Sequence, residues 1–103
     1  MKEYKITITQ RAFSSIQECV LFVNNVSSEE AIELYDEIMS SLSSLKTFSK
    51  AYPSIDGLTI RGIGVKRMPI YHGRYLVIYK VEKDLVTIYN IIDSRKDNSI
   101  LKI

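Results

Sequence analysis

The stretch RYLVIYKVEKDLVTIYNIIDSRKD, Arg74–Asp97, contains the pattern that decides the fold. Apolar side chains alternate along its first half, so that one set lies on each face of a strand. One face carries Tyr75, Val77, Tyr79 and Val81, and the other carries Leu76 and Ile78. Lys83 and Asp84 interrupt the alternation as a tight turn, and Leu85–Ile92 is apolar on both faces. The stretch therefore predicts a β-hairpin whose second strand is covered on both sides, followed by a polar exit.

The segment before this hairpin predicts one more strand. Residues 59–68, TIRGIGVKRM, form that strand, Pro69 ends it, and IYHG turns the chain. Gly62 and Gly64 match a phosphate-binding loop only weakly, because a third glycine is absent and a strand follows instead of a helix. A bulge or a close backbone approach is the favoured interpretation of both. Residues 47–57, TFSKAYPSIDG, predict an irregular connection.

A short strand and two helices are predicted nearer the start. EYKITIT alternates as a half-buried strand, and Thr9 then caps a helix over residues 10–24. Ser27 with Glu30 forms a capping box for a second helix that continues to about residue 47. Apolar residues follow a helical period in both helices. They are Ala12, Phe13, Ile16, Cys19, Val20, Phe22 and Val23 in the first, and Ala31, Leu34, Tyr35, Ile38, Leu42 and Leu45 in the second.

The order of these elements predicts an α+β fold, β-α-α-β-β-β. The loop between the helices is short, so the two pack as an antiparallel hairpin across an antiparallel sheet of about four strands. A chain of 103 residues is expected to form a single domain over residues 1–103.

Composition excludes several classes of function. The single cysteine, Cys19, forms no internal disulfide and no cysteine-based zinc site, and the single histidine, His72, excludes a two-histidine metal site within one chain. We therefore expect no metal and no cofactor. The first residues lack the apolar core of a signal peptide, and no apolar run is long enough to span a membrane, so a cytoplasmic protein is expected. The net charge of +2 permits an anionic partner without requiring one.

Basic residues of the second half lie at strand ends or just outside the sheet. They are Lys66, Arg67, Arg74, Arg95 and Lys96. If they converge, they are suited to grip a phosphate backbone or to stabilise charge at phosphorus; otherwise they form a solvated rim. The sequence leaves both possibilities open.

Aromatic and histidine side chains offer candidate proton carriers. His72 titrates near neutrality but stands in a turn without an orienting partner, so an exposed turn residue is favoured. Tyr75, Tyr79 and Tyr89 could stack on bases or move protons, but alternating tyrosines on strands are more often packing residues. Asp93 and Asp97 flank Arg95 and Lys96, which favours local ion pairs over a carboxylate catalyst.

The order of elements, and above all RMPIYHGRYLVIYKVEKDLVTIYNIIDSRKD at Arg67–Asp97, resembles the RelE/ParE family of bacterial toxins. The shared pattern is a basic residue, a proline, a turn, a Tyr-Leu-x-x-Tyr strand, a tight turn, a hydrophobic strand and a basic exit. The resemblance implies a toxin of a type II toxin–antitoxin pair that a cognate antitoxin neutralises. RelE-like members cut messenger RNA on the ribosome, and ParE-like members inhibit DNA gyrase by binding.

The resemblance to an RNA-cleaving member is incomplete at the residues that carry the chemistry. Arg67 and Arg95 keep two of the family's cationic positions, whereas Pro69 and Leu76 stand where two others are expected. No tyrosine or histidine follows Tyr89, so the family's C-terminal proton carrier is missing.

The resemblance therefore favours a gyrase inhibitor, although Asp93 stands where ParE-like members often have histidine. The alternatives are a ribosome-dependent mRNA interferase and an inactive member that only binds antitoxin. A nuclease would use Arg67, Arg74 and Arg95. The wider set expected to bind a nucleic acid or protein target is Lys66, Arg67, His72, Arg74, Tyr75, Arg95 and Lys96.

Overall fold

The computed structural model describes residues 3–95, which form two helices and a five-stranded mixed sheet. In chain order the elements are β1 Lys5–Ile8, α1 Gln10–Asn24, α2 Ser28–Phe48, β2 Ser54–Ile60, β3 Ile63–Ile70, β4 Tyr75–Glu82 and β5 Leu85–Asp93. The strand order is β1-β5-β4-β3-β2, with β1 parallel to β5 and the other pairs antiparallel. This confirms the α+β class and the helical hairpin, and it corrects the sheet from about four antiparallel strands to five in a mixed arrangement.

The additional strand is β2, which lies mostly in the segment predicted to be irregular. β2 is joined to β3 by Arg61 and Gly62, whose φ angles of 53° and 81° are both positive. Two such residues form the tight turn that matches the twist of a hairpin. Gly62 therefore belongs to a turn and not to a bulge. At Gly64 the neighbouring strand comes close to the backbone, as predicted, because a Cβ there would lie 3.2 Å from Ser54 Oγ.

The strand β3 does not end at Pro69 as predicted, because Pro69 pairs with Leu76 of β4 and the strand continues to Ile70. The pairing of β2 with β3 extends only to Lys66. Beyond Lys66 one side of β3 is an edge, where a residue without an N–H group costs no ladder hydrogen bond.

Both helices begin at the predicted caps. The Ala12 N–H donates to Thr9 Oγ1 at 3.1 Å, and the Glu30 N–H donates to Ser27 Oγ at 3.2 Å. Thr9 Oγ1 also donates to the carbonyl of Tyr89 at 3.0 Å, so this cap joins α1 to β5. No helix within residues 3–95 is long and apolar enough to cross a membrane.

The main core lies between the helical hairpin and one face of the sheet, and we call that face the helix face. Its buried members include Ala12, Ile16, Leu34, Ile38, Leu42, Leu45, Met68, Val77, Tyr79 and Ile88. A smaller cluster around Val65, Ile78 and Ile92 lies on the opposite face, which we call the open face. Three expected core residues are instead substantially exposed: Phe13 at 51%, Phe22 at 63% and Tyr35 at 47%.

We expect Thr9→Ala to destabilise the protein by about 0.5–2 kcal/mol, because the cap of α1 and its bond to β5 are lost together. Urea unfolding monitored by circular dichroism measures this. Thr9→Ser is the matched control, since it keeps the oxygen that makes both bonds. Equal destabilisation by serine and alanine would contradict a role for the hydroxyl.

Candidate functional site

A cleft of about 670 Å³ opens between α1 and the ends of β4 and β5. Residues three or four apart in α1 lie on one face of the helix and form one wall. That wall consists of Arg11, Ser15, Glu18, Cys19 and Phe22. The other wall consists of Tyr75, Asn90, Ile91, Ile92, Asp93 and Arg95. The cleft therefore combines cations, carboxylates, a phenol and a thiol.

An irregularity in β5 shapes the floor of the cleft. Ile78 pairs with Asn90 and Tyr79 pairs with Ile88, so Tyr89 is an extra residue in the ladder, as in a β-bulge. The buried Asn90 Oδ1 accepts hydrogen bonds from Ser15 Oγ at 2.6 Å and from the Ile91 N–H at 2.9 Å. This side chain thus fixes α1 against β5 where the cleft begins.

The last residues of the cleft form a tight ion pair. Arg95 donates from Nε to Asp93 Oδ1 at 3.0 Å and from Nη2 to Asp93 Oδ2 at 2.7 Å, and its backbone N–H also donates to Oδ1 at 2.9 Å. These bonds from Arg95 lower the pKa of the Asp93 carboxyl to about 2, although partial burial opposes the shift. The same carboxylate raises the pKa of Arg95. Near neutral pH Asp93 is therefore ionised, and one edge of the guanidinium is occupied.

We expect the Asp93 carboxyl to titrate at about 2 and its pKa to rise toward about 3.9 in Arg95→Gln. Because the folded-state pKa is lowered, the pair stabilises the fold above about pH 4 and this contribution is lost as the pH falls toward 2. NMR titration of the carboxyl carbon measures both values. Arg74→Gln is the control: the charge of Arg74 contributes least to the lowering, so only a small rise is expected.

Tyr75 is the buried phenol of the cleft, with 3% of its surface exposed. Burial raises its pKa, the neighbouring Cys19 raises it further, and the charge of Arg74 opposes both. The Arg74 guanidinium carbon lies 5.4 Å from the centre of the Tyr75 ring, and the Arg74 Nε is buried without a hydrogen-bond partner among residues 3–95. Tyr75 is thus a neutral phenol beside a cation.

The structure brings together only part of the expected site. Tyr75 and Arg95 line the cleft, and the Arg74 guanidinium lies beside the Tyr75 ring without lining the cleft itself. Arg67 pairs with Ile78, whose side chain belongs to the open-face cluster, so the exposed Arg67 lies on the side of the sheet opposite Tyr75. The sequence left open whether the basic residues converge, and the structure places Arg67 away from the cleft.

Two further residues of the expected site, Lys66 and His72, do not line the cleft. Lys66 donates from Nζ to the carbonyl of Tyr52 at 2.9 Å, which ties β3 to the segment before β2. His72 is exposed in the β3–β4 turn at a φ of 59°, with its ring centre 5.8 Å from that of Tyr71. Lys96 lies outside the described residues.

Sequence reasoning did not identify a second polar cluster, centred on Lys80. Lys80 is 6% exposed in the middle of β4, and its Nζ lies 3.0 Å from Glu82 Oε1. The hydrogen bond with Glu82 raises the pKa of Lys80, and contact with Tyr89 adds to the shift. The sequence did offer one signal for this cluster, because Lys80 is a lysine within a largely apolar strand. This ammonium is held by its partners and is protonated, which makes it a structural cation and not a nucleophile.

The structure contains no candidate metal site within residues 3–95, because no three histidine, cysteine or carboxylate side chains come together there as ligands. The cleft lining carries two cations, Arg11 and Arg95, and two carboxylates, Glu18 and Asp93, so its charges balance and it is suited to binding a polar group.

Comparison with known proteins identifies the architecture. No family model and no curated protein matches the sequence. A chain of the chromosomal ParDE TA system from P. aeruginosa has a TM-score of 0.69 at 13% identity, over 88% of this chain and 96% of that one. A chain of the archaeal RelE-RelB complex from Pyrococcus horikoshii OT3 has a TM-score of 0.58 at 15% identity, over 91% of this chain and 99% of that one.

This chain has the RelE/ParE fold. Both matches cover nearly the whole of each chain, so the fold implied by the motif at residues 67–97 is confirmed. Identities of 13% and 15% establish the RelE/ParE fold and leave function to be argued from the site.

Proposed function

We propose that this protein is the toxin of a type II toxin–antitoxin pair, neutralised by a cognate antitoxin, and that it acts by binding and inhibiting DNA gyrase. The support for a toxin is the RelE/ParE fold together with the two neighbours, one named as a TA system and the other as a RelE-RelB complex. The preference for binding over RNA cleavage comes from the placement of the cations.

The separation of Arg67 from Arg95 is the observation that carries this preference. RNA cleavage through the 2′-OH needs a proton acceptor and several cations around one phosphate. Arg67 is on the open face, whereas Arg95 is at the cleft, where it is already bound to Asp93. A phosphate at the cleft would have to compete with a bidentate carboxylate and would not reach Arg67.

One observation favours the second candidate, a ribosome-dependent nuclease. Arg74, Tyr75 and Arg95 do meet, and a neutral phenol beside two cations can donate a proton to a leaving oxygen. Tyr75 is almost fully buried, however, so a scissile phosphate has little access to its hydroxyl.

The deciding experiment is induction of the protein in bacteria, with growth followed while RNA 5′ ends are mapped within minutes. The expected result is arrested growth without new ends inside codons, and inhibition of supercoiling when the purified protein is added to purified gyrase. New ends clustered in translated codons would establish the nuclease and exclude the proposal. Unarrested growth would indicate a member that only binds antitoxin.

Substitution of the cations separates the two candidates independently. We expect any arrest lost in Arg67→Ala or Arg95→Ala to be lost together with inhibition of purified gyrase, because these cations belong to the expected target-binding set and neither acts on a phosphate. In a nuclease, removal of one transition-state cation costs about 10²–10³ in rate, so either variant would relieve arrest through lost RNA cleavage. Growth after induction, with expression checked by immunoblot, and a supercoiling assay on each purified variant measure this. Relief of arrest with gyrase inhibition unchanged would contradict the proposal.

A further inference from the structure

The turn between β3 and β4 has a strained backbone. Its residues Tyr71, His72 and Gly73 follow one another at φ angles of 52°, 59° and 79°. Only a few per cent of residues other than glycine have a positive φ, and a bulky side chain in that region is an outlier. Elsewhere within residues 3–95 no two residues other than glycine have a positive φ in succession. The strain of the described backbone is therefore concentrated in this turn.

The helix α2 holds the start of the turn through Glu37. The Tyr71 N–H donates to Glu37 Oε2, and a hydrogen bond to a carboxylate is stronger than one to a neutral acceptor. Glu37 lies three positions after Leu34 and next to Ile38, both completely buried, so it stands at the border of the side of α2 that faces the core. Of the six acidic residues in residues 12–45, Glu37 alone is not exposed. Its carboxylate therefore serves the turn and not the solvent.

The end of the turn is held from the other side by Ser94, which follows β5. The Ser94 hydroxyl donates to the Gly73 carbonyl at 2.6 Å and lies 3.0 Å from the Arg74 carbonyl. The Ser94 N–H donates to the Arg74 carbonyl at 2.8 Å, and the Arg74 N–H donates to the Tyr71 carbonyl at 3.1 Å. The turn thus has a clamp at each end, one from the helical layer and one from the residue after β5.

The clamped turn places three side chains of different chemistry in one small region. His72 is exposed at its tip, and the His72 ring centre lies 5.8 Å from that of Tyr71. The Tyr71 ring in turn lies 6.2 Å from the Tyr75 ring, over which the Arg74 guanidinium carbon lies at 5.4 Å. Strained backbone persists only where surrounding contacts hold it, and it is found most often at functional sites. The clamps and the strain together therefore indicate a surface that is kept in one conformation for contact.

We propose that Glu37 and Ser94 are positioning residues, which hold the β3–β4 turn in its strained conformation so that His72 and Arg74 contact the target protein. A loop that is ordered before binding loses less conformational entropy when it binds. Arginine and tyrosine are also enriched among the residues that carry most of the energy of protein interfaces. That the target is gyrase rests on the proposed function, whereas the clamps do not.

Hydrogen exchange measured by NMR tests the first clamp on the protein alone. Glu37→Ala is expected to speed exchange of the Tyr71 amide by about tenfold or more, because the amide loses a charged acceptor. Glu37→Gln keeps an acceptor oxygen and is expected to restore part of the protection. Glu33→Ala is the matched control, since it removes an exposed carboxylate one turn earlier on α2 and should leave the exchange unchanged.

Inhibition of gyrase supercoiling tests what the clamps are for. Glu37→Ala and Ser94→Ala are expected to raise the concentration that gives half inhibition by about tenfold, because the turn must then be ordered during binding. Ser94→Thr keeps the hydroxyl and is expected to restore inhibition. His72→Ala removes a contacting side chain and keeps both clamps, so it should weaken inhibition without changing exchange at Tyr71. Thermal unfolding of each variant separates a loss of folded protein from a loss of contact.

Two results would overturn the proposal. Exchange of the Tyr71 amide at the parent rate in Glu37→Ala would show that the clamp does not hold the turn. Inhibition of gyrase at the parent concentration by both Glu37→Ala and Ser94→Ala would show that the held turn is not used for contact, and it would leave the gyrase assignment intact.

Failure of the proposed function gives a different result. A parent protein that arrests growth without inhibiting gyrase would contradict the gyrase assignment, and growth arrest then replaces inhibition as the measurement of target contact. Loss of arrest in Glu37→Ala and Ser94→Ala, restored by Ser94→Thr, would still support the clamped turn, whereas full arrest in both alanine variants would overturn it. A parent protein that neither arrests growth nor inhibits gyrase would contradict both assignments.

Discussion

Replacement of Leu34 by alanine is expected to destabilise the protein by about 2–5 kcal/mol, the range observed when a buried leucine leaves a cavity. Leu34 is completely buried in the middle of α2, in the core between the helices and the sheet. Because domains of this size are stable by about 5–15 kcal/mol, this one change removes a large fraction of the total. Urea unfolding followed by circular dichroism measures the loss.

The matched control for Leu34 lies two residues away on the same helix. Ile32 is 63% exposed, so Ile32→Ala is expected to change stability by no more than about 0.5 kcal/mol. The pair tests which side of α2 faces the sheet, and it tests whether Ile32 is kept apolar for a reason other than folding. A cost for Ile32→Ala close to that for Leu34→Ala would place Ile32 in the core and contradict its exposure.

The elements of the fold could be predicted from the sequence because their signals are local. Thr9 and Ser27 cap their helices with hydroxyls, and the alternation from Tyr75 to Val81 assigns the two faces of β4. Each of these features depends on neighbours a few residues away. The parallel pairing of β1 with β5 joins Lys5 to Leu85, and no local pattern specifies a contact over that separation.

The strand β2 was missed because its sequence carries the marks of a loop. Pro53 immediately precedes it, Gly57 lies within it at a φ of 74°, and its pairing with β3 is irregular between Ser54 and Thr59. Proline and glycine usually end strands, but an edge strand tolerates both. Arg61 and Gly62, both at positive φ, form the tight turn that joins β2 to β3.

The candidate site could be predicted only in part, because convergence depends on which face of a strand each residue occupies. The pairing of Tyr75 with Asp93 brings the flanking Arg74 and Arg95 near the Tyr75 ring. One residue of register decides that Arg67 lies on the open face while Met68 lies in the main core. The contribution of α1 to the cleft was not predicted. In the sequence Arg11 has the pattern of an ordinary exposed helix residue, and only the structure shows that it faces the ends of β4 and β5 across the cleft.

Replacement of Tyr79 by phenylalanine is expected to destabilise the protein by about 1–3 kcal/mol. Tyr79 is the largest fully buried side chain within residues 3–95, and its hydroxyl donates at 2.7 Å to the carbonyl of Ser49, just after α2. Phenylalanine fills nearly the same volume, so the loss comes from leaving that buried carbonyl without its donor. Tyr35→Phe is the control, because Tyr35 is 47% exposed and water can replace its hydrogen bonds.

The same substitution is expected to change the response to alkaline pH. Burial raises the pKa of Tyr79 above its ordinary value of about 10, so near that pH the unfolded chain releases this proton and the folded chain does not. Stability then falls with rising pH by up to about 1.4 kcal/mol per pH unit for this group, and the contribution is fully present only below about pH 10. In Tyr79→Phe this part of the alkaline decline is absent, so the variant and the parent converge in stability as the pH rises above 10. Urea unfolding at a series of pH values tests this, and a constant difference between the two proteins from pH 8 to 11 would show that the Tyr79 hydroxyl titrates normally and is not held in the core.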